Sequence, residues 1–246
     1  MRISAVSYLN TKPFLHGIKT CGVPGVSLSL DVPSECARKL LEGEAEIGLV
    51  PVAVLPLLKS YSIISNYCIG AAGPVQSVKL YSEVPLEKIE TVWLDHQSRT
   101  SVMLARVLAK ERWKISPHWQ HAAEGFEQRI AGASAGVVIG DRTFAMNGKF
   151  AYEFDLAEEW IALTGLPFVF AAWVSTVLLH NDFLEQFDKA LSYGVTHIDE
   201  MLQQEKTGTK NFDAARYLKE AISYPLDKEK RKGLELFLEK IKGLSL

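Results

Sequence analysis

The sequence has too little cysteine for a disulfide framework. Its three cysteines, Cys21, Cys36 and Cys68, are odd in number and widely spaced, with no C-x-x-C. Neither a stapled secreted scaffold nor a zinc knuckle is written here, and reduced thiols in a cytoplasmic chain are expected. Charge of one sign is equally scarce: 27 Lys and Arg face 29 Asp and Glu, a formal charge of −2. Without a basic run there is no footprint for nucleic acid. Long hydrophobic runs are missing too. The longest apolar stretches, Ile47 to Leu58 and Pro167 to Leu179, are interrupted by Pro, Gly, Trp or Ser well short of the roughly 20 residues that span a membrane. The opening Met1-Arg2-Ile3-Ser4-Ala5-Val6 enters an apolar strand at once and lacks the plan of a signal peptide. No export, no membrane and no nucleic-acid partner are expected.

Most catalytic signatures are also absent. There is no G-x-x-x-x-G-K-[ST], no strand followed by G-x-G-x-x-G and no H-E-x-x-H, so no nucleotide or metal cofactor is expected. Gly132-Ala133-Ser134-Ala135-Gly136 matches G-x-S-x-G, but a nucleophile elbow needs a strand before it and a helix after. Here the order is reversed, and a small-residue turn is expected. Of the six histidines, only His118 and His121 are close enough to share a metal, and they lie in a polar alternating strand that reads as exposed.

What is present suits a globular α/β protein. The 246 residues are 48% hydrophobic and 23% charged, enough to build one large domain or two small ones. Apolar runs predict strands at Ile3 to Tyr8, Val26 to Leu30, Ile47 to Val50, Ser77 to Ser82, Thr91 to Leu94, Gly136 to Ile139 and Phe168 to Val174. Helical patterns fit between them. Asn10 or Thr11 before Pro13, Ser34 before Glu35, and Ser98 before an apolar-periodic stretch ending near Trp113 are the expected helix starts. From Asp182 onward helix formers dominate, with breaks near Gly208 and Tyr224-Pro225, and this tail is expected to pack on the first lobe. The fresh strand at Thr91 suggests a second lobe, residues 83–176, inserted in a first made of 1–82 and 177–246. Ser77 to Ser82 and Ser175 to His180 would then be the hinge crossings.

Several polar groups fall at strand ends and helix starts. Ser98-Arg99-Thr100-Ser101 gathers three hydroxyls and a guanidinium where unpaired N–H groups and the helix dipole favour an anion. Simple capping by Ser98 would explain the same residues. Asn10 closes the first strand, the end at which open α/β sheets bind ligands, yet it too could be only a cap. Ser77, in the turn Gly73-Pro74-Val75-Gln76-Ser77, is able to face a cleft, and Gly140 with Asp141 ends a buried strand at a point of close backbone approach.

The segments Ser7 to Pro13, Glu46 to Val52, Gly73 to Val78, Ser98 to Ser101, Ile139 to Asp141 and Thr164 to Phe168 together resemble the chorismate dehydratase family of the futalosine route to menaquinone. The match runs in order over about residues 1–180. The sister enzyme for cyclic dehypoxanthine futalosine usually opens with a Ser-Pro-Cys-Pro-Asn-Asp type segment, where this chain has Tyr8-Leu9-Asn10. The acid that often precedes the Ile-Gly-Asp strand is replaced by Ser134-Ala135-Gly136. The resemblance implies the two-lobed fold of periplasmic binding proteins (type II). It also implies a cofactor-free hydro-lyase that converts chorismate to 3-[(1-carboxyvinyl)oxy]benzoate. It places Asn10 at the reacting centre and Ser77, Val78, Ser98, Arg99, Thr100, Ser101, Gly140 and Asp141 around the substrate. His96 and Asp141 lie near the right strand ends for a base, but neither has a partner in sequence to tune it. The substrate's own enolpyruvyl carboxylate is the alternative proton acceptor. Two other readings are the sister enzyme and a cytoplasmic carboxylate-binding module of the same fold without chemistry.

Overall fold

The computed structural model describes residues 1–204 and 212–244. Eleven strands are found among them: β1 Arg2–Val6, β2 Ser27–Asp31, β3 Ile47–Pro51, β4 Ser62–Ala71, β5 Val78–Ser82, β6 Thr91–Leu94, β7 His118–His121, β8 Ser134–Ile139, β9 Tyr152–Asp155, β10 Phe168–Ser175 and β11 Ser223–Pro225. The α-helices are α1 Lys12–Cys21, α2 Pro33–Leu41, α3 Thr100–Leu108, α4 Leu156–Thr164, α5 Asn181–Thr196, α6 Ile198–Gln204, α7 Ala214–Arg216 and α8 Lys228–Lys240. None of these helices is long and apolar enough to cross a membrane.

The strands form two mixed sheets, ordered β11-β4-β10-β3-β1-β2 and β7-β6-β8-β5-β9. In the first, β1 runs parallel to β2 and β3, while β10 is antiparallel to both β3 and β4. Strands β3 and β10 are buried along their whole length, which is why they read as unbroken apolar runs. Helix α1 packs against α5 at a paired small-residue contact. A Cβ on Gly17 would stand 1.9 Å from the Ala190 carbonyl oxygen, and one on Gly194 would stand 1.8 Å from that of Pro13. Only glycine permits that approach, and it seats the first turn of α1, next to Asn10, firmly on the tail.

Strand pairing moves the expected lobe boundaries. Strand β5, expected to close the first lobe, pairs with β8 and β9 in the second sheet. Strand β10, expected to close the second lobe, pairs with β3 and β4 in the first. The chain therefore crosses between sheets at 72–77 and 165–167, while Ser175 to His180 merely leads into α5. Strand β4 escaped prediction because Ser65 and Asn66 interrupt its apolar pattern. Both are satisfied by the Asp188 carboxylate of α5. The short β9 was missed as well, and the expected break at Tyr224-Pro225 is the edge strand β11, a place where proline is tolerated. The break expected near Gly208 lies outside the described residues.

Two caps also differ from expectation. Helix α2 starts at Pro33 after Val32, with no side-chain cap, since proline at the first helical position is already set for the helix. Thr11 does not cap α1 either. Its hydroxyl donates instead to Asn10 Oδ1 at 3.4 Å. The Ser134 turn opens β8, and β7 presents His118 and His121 to solvent. Cys36 and Cys68 are buried free thiols, and Cys21 is an exposed one.

Candidate active site between the two sheets

A cavity with about 530 Å³ of empty space, including its mouth, lies between the sheets. Its floor and walls are strand ends and helix starts. Tyr8, Asn10 and Thr11 follow β1, Ser77 and Val78 sit at the crossing into β5, Ser98, Thr100 and Ser101 open α3, and Gly140 follows β8. Phe170 and Ala171 of β10 add apolar surface. Among the described residues, the lining holds no Lys, Arg, His, Asp or Glu side chain.

The second-sheet wall is built on two buried carboxylates. Asp95, 2% exposed, accepts from the N–H groups of Gln97 at 2.9 Å and Ile139 at 3.1 Å and is paired with Arg142. Burial pushes its carboxyl upward, opposed by Arg142 and those amides. Its carbonyl accepts from Ser98 N–H at 3.3 Å, so the turn before α3 is fastened at both ends. Ser98 Oγ accepts from Ser101 N–H at 3.0 Å, the expected cap. The N–H groups of Arg99 and Thr100 have no carbonyl one turn back to bond, and the helix dipole makes that end attractive to an anion.

The second carboxylate, Asp155, holds the crossing. It accepts from Val75 at 3.1 Å and Gln76 at 2.6 Å, and it caps α4 through Ala157 and Glu158. Gln76 sits at φ +65°, a left-handed conformation costing on the order of 1–3 kcal/mol in a residue other than glycine. Those two amide bonds hold it there. Ser77 follows directly, with its carbonyl accepting from Gly140 N–H at 2.9 Å.

The first-sheet wall closes against this frame. Tyr8 donates to Gln97 Oε1, and its ring lies over Gly140, where a Cβ would be 2.9 Å from ring carbons and φ is +71°. Only glycine serves there. The Leu9 N–H reaches the Asp141 carboxylate at 3.3 Å, and Ala53 N–H donates to Thr100 Oγ1 at 3.2 Å. The sheets are thus drawn together over the cavity. Asn10 lies at its base, its Nδ2 donating to the Tyr217 hydroxyl at 3.4 Å and its carbonyl accepting from Tyr224 at 3.0 Å.

Seven expected site residues, Asn10, Ser77, Val78, Ser98, Thr100, Ser101 and Gly140, line this one cavity. Two do not. Arg99 is half-buried outside the lining, because the turn that aims its neighbours inward puts consecutive side chains on different faces. Asp141 is exposed at the rim and bonds Leu9 across the cleft. His96 is exposed beside Asp95, at 3.8 Å, and lies outside the lining. Sequence reasoning missed Tyr8, although it lies inside the Ser7 to Pro13 segment. It also missed Tyr217, whose tail was expected to pack on the first lobe. Phe212 and Tyr217 instead pack on Phe144 beyond β8, at 3.7 and 4.9 Å between ring centres.

Comparison with known proteins bears on the family and the fold. A curated chorismate dehydratase from Thermus thermophilus is 30% identical over 185 residues, a match covering 68% of this chain and 66% of the relative. The match therefore spans just under two thirds of that relative's length. In fold, a protein of Archaeoglobus fulgidus superposes with a TM-score of 0.77 at 12% identity, covering 98% of this chain and 96% of its own. A Candida albicans protein with the generic periplasmic binding protein fold gives 0.60 at 9% identity, over 98% and 94% of the two chains. The periplasmic aliphatic sulphonate binding protein of Escherichia coli gives 0.58 at 14%, over 98% and 86%. The two lobes around a cleft are thus the periplasmic-binding-protein fold. Residues 1–242 match the menaquinone biosynthesis family, and the chain belongs to it.

Proposed function

We propose that the chain is a hydro-lyase that dehydrates chorismate to 3-[(1-carboxyvinyl)oxy]benzoate. Chorismate carries a ring carboxylate, an enolpyruvyl ether at C3 and a hydroxyl at C4. Loss of the C3 proton and the C4 hydroxide yields one water and a benzene ring, and aromatisation drives the reaction. The C3 position is conjugated through C1=C2 to the ring carboxylate, so charge builds on those oxygens as the proton leaves. Preorganised donors aimed at them lower the barrier.

The observation that carries this reading is a cleft lined by neutral donors, Asn10, Ser77, Ser98, Thr100 and Ser101, with no charged acid or base among them. We assign the ring carboxylate to the start of α3 and to Ser77, where each charge-assisted bond is worth roughly 1.5–3 kcal/mol. Asn10 orients the leaving hydroxyl or the enolpyruvyl group. Tyr8 is a poor base, since burial beside Asp95 raises its phenol well above the ordinary range and it is already donating to Gln97. The enolpyruvyl carboxylate of the substrate then takes the C3 proton, and the protein holds its rotamer and keeps water out. We place this activity in the cytoplasm, in keeping with the free thiols.

The test is incubation with chorismate while its ultraviolet spectrum is followed and the product is identified by mass and NMR. Formation of the enolpyruvyl benzoate supports the assignment. Chorismate left intact by folded protein sinks it.

A further inference from the structure

Tyr217 belongs to the C-terminal tail, at the start of a π-helical turn, Tyr217–Ala221, that follows α7. Single π-turns of this kind often mark functional sites. Its hydroxyl donates to Ser77 Oγ at 2.8 Å and accepts from Asn10 Nδ2 at 3.4 Å. Those partners are 140 and 207 residues away in sequence. Both line the cavity, whereas Tyr217 is 1% exposed and does not.

We propose that Tyr217 is a positioning residue for the dehydration, fixing Asn10 and Ser77 so that both present hydrogen-bond donors to the substrate. The inference rests on the dehydratase reading of the cleft.

The argument is a count of donors and acceptors. An amide side chain has two N–H groups and one carbonyl oxygen, and a hydroxyl has one proton to give. One Asn10 N–H goes to Tyr217, and its Oδ1 accepts from Thr11, which sets the amide's orientation and leaves the second N–H for the cavity. Ser77 Oγ receives the Tyr217 proton, so its own proton remains free to be donated. A dianionic substrate needs donors, and the direction of this hydrogen-bond chain supplies them. Without the phenol, Ser77 has no proton to accept there and Asn10 has no acceptor to hold its amide, so both rotate.

The phenol is itself held still. Phe144 meets its ring edge-on at 4.9 Å between centres, and Phe212 lies at 5.6 Å. Burial raises its ionisation well above the ordinary tyrosine range, which keeps the proton that it donates to Ser77. Tyr224 bonds the Asn10 carbonyl at 3.0 Å. The tail thus fixes Asn10 twice, at its backbone and at its side chain.

Tyr217→Phe keeps the ring and its aromatic contacts and removes only the hydroxyl. Chorismate turnover is expected to fall about 10- to 100-fold, the size of a small misplacement of reacting groups, with KM changed far less than kcat. In an Asn10→Ala background, where one positioned partner is gone, the same substitution should have a clearly smaller effect. Each protein is assayed well below its own melting midpoint, so that loss through unfolding is not counted. An inactive wild type would defeat the dehydratase reading itself. An active wild type with an equally active Tyr217→Phe would defeat only the positioning role, as would an undiminished Tyr217→Phe effect in the Asn10→Ala background.

Discussion

The two walls of the cleft hold their hydrogen-bonding groups by different physics. On the first-sheet side, Asn10 is held by the neutral hydroxyls of Tyr217 and Tyr224 within aromatic packing. On the second-sheet side, Ser77 and Ser98 sit on backbone tied down by the buried carboxylates Asp155 and Asp95. A neutral hydrogen bond contributes about 0.5–1.5 kcal/mol and one to a charged group about 1.5–3 kcal/mol. The second wall is therefore a stiff frame whose loss harms folding. The first carries a positioned polar group, Asn10, whose loss is expected to fall on turnover rather than on folding.

The largest expected effect is on turnover, from Asn10→Ala. The variant should melt within several degrees of the wild type, having lost only long neutral hydrogen bonds, and lose about 10²- to 10³-fold in kcat, as removal of a single preorganised donor does. Asn10→Asp sharpens the point by keeping the shape while setting a negative charge beside a dianion, so substrate binding should weaken. Wild-type turnover in Asn10→Ala would leave the chemistry to the second wall alone.

Next in size is Asp155→Asn, which puts an NH₂ where Gln76 and Val75 need an acceptor and removes the charge that holds the strained turn. A stability loss of about 2–3 kcal/mol is expected, seen as a melting midpoint roughly 4–12 °C lower. A change within about 0.5 kcal/mol, the range of ordinary surface substitutions, would break the contrast between the walls. The smallest effect belongs to Ser98→Ala. Losing the cap should cost about 1 kcal/mol of stability, while affinity for the benzoate-type product is expected to fall further under our assignment of the ring carboxylate to that helix start. An unchanged product affinity in titration calorimetry would reduce Ser98 to a cap.

Much of the site was legible because its residues stand where strands end and helices begin. Ser98 was readable as a cap and Asn10 as the close of β1, and both positions need no knowledge of distant contacts. Tyr217 gave no such signal: an aromatic in a helical tail is ordinary core material until its hydroxyl is seen between Ser77 and Asn10. Arg99 misled for the opposite reason. Its charge suits an anion, yet the helix turn directs the hydroxyls, not the guanidinium, to the cavity. Strand β4 was hidden by Ser65 and Asn66, whose partner Asp188 is over 120 residues away.

Local chemistry in the chain decided that there would be alternating strands and helices, where most of them begin, and which polar groups stand at their ends. Apolar periodicity and capping act over a few residues, so a sequence records them directly. Which sheet receives β5 and which receives β10 was decided only in three dimensions, because each is a mostly buried strand whose own sequence names no partner. The same holds for the closure of Tyr8 over Gly140 and for the Asn10–Tyr217–Ser77 chain. Those contacts join segments brought together by the packing of whole elements, and no local pattern specifies them.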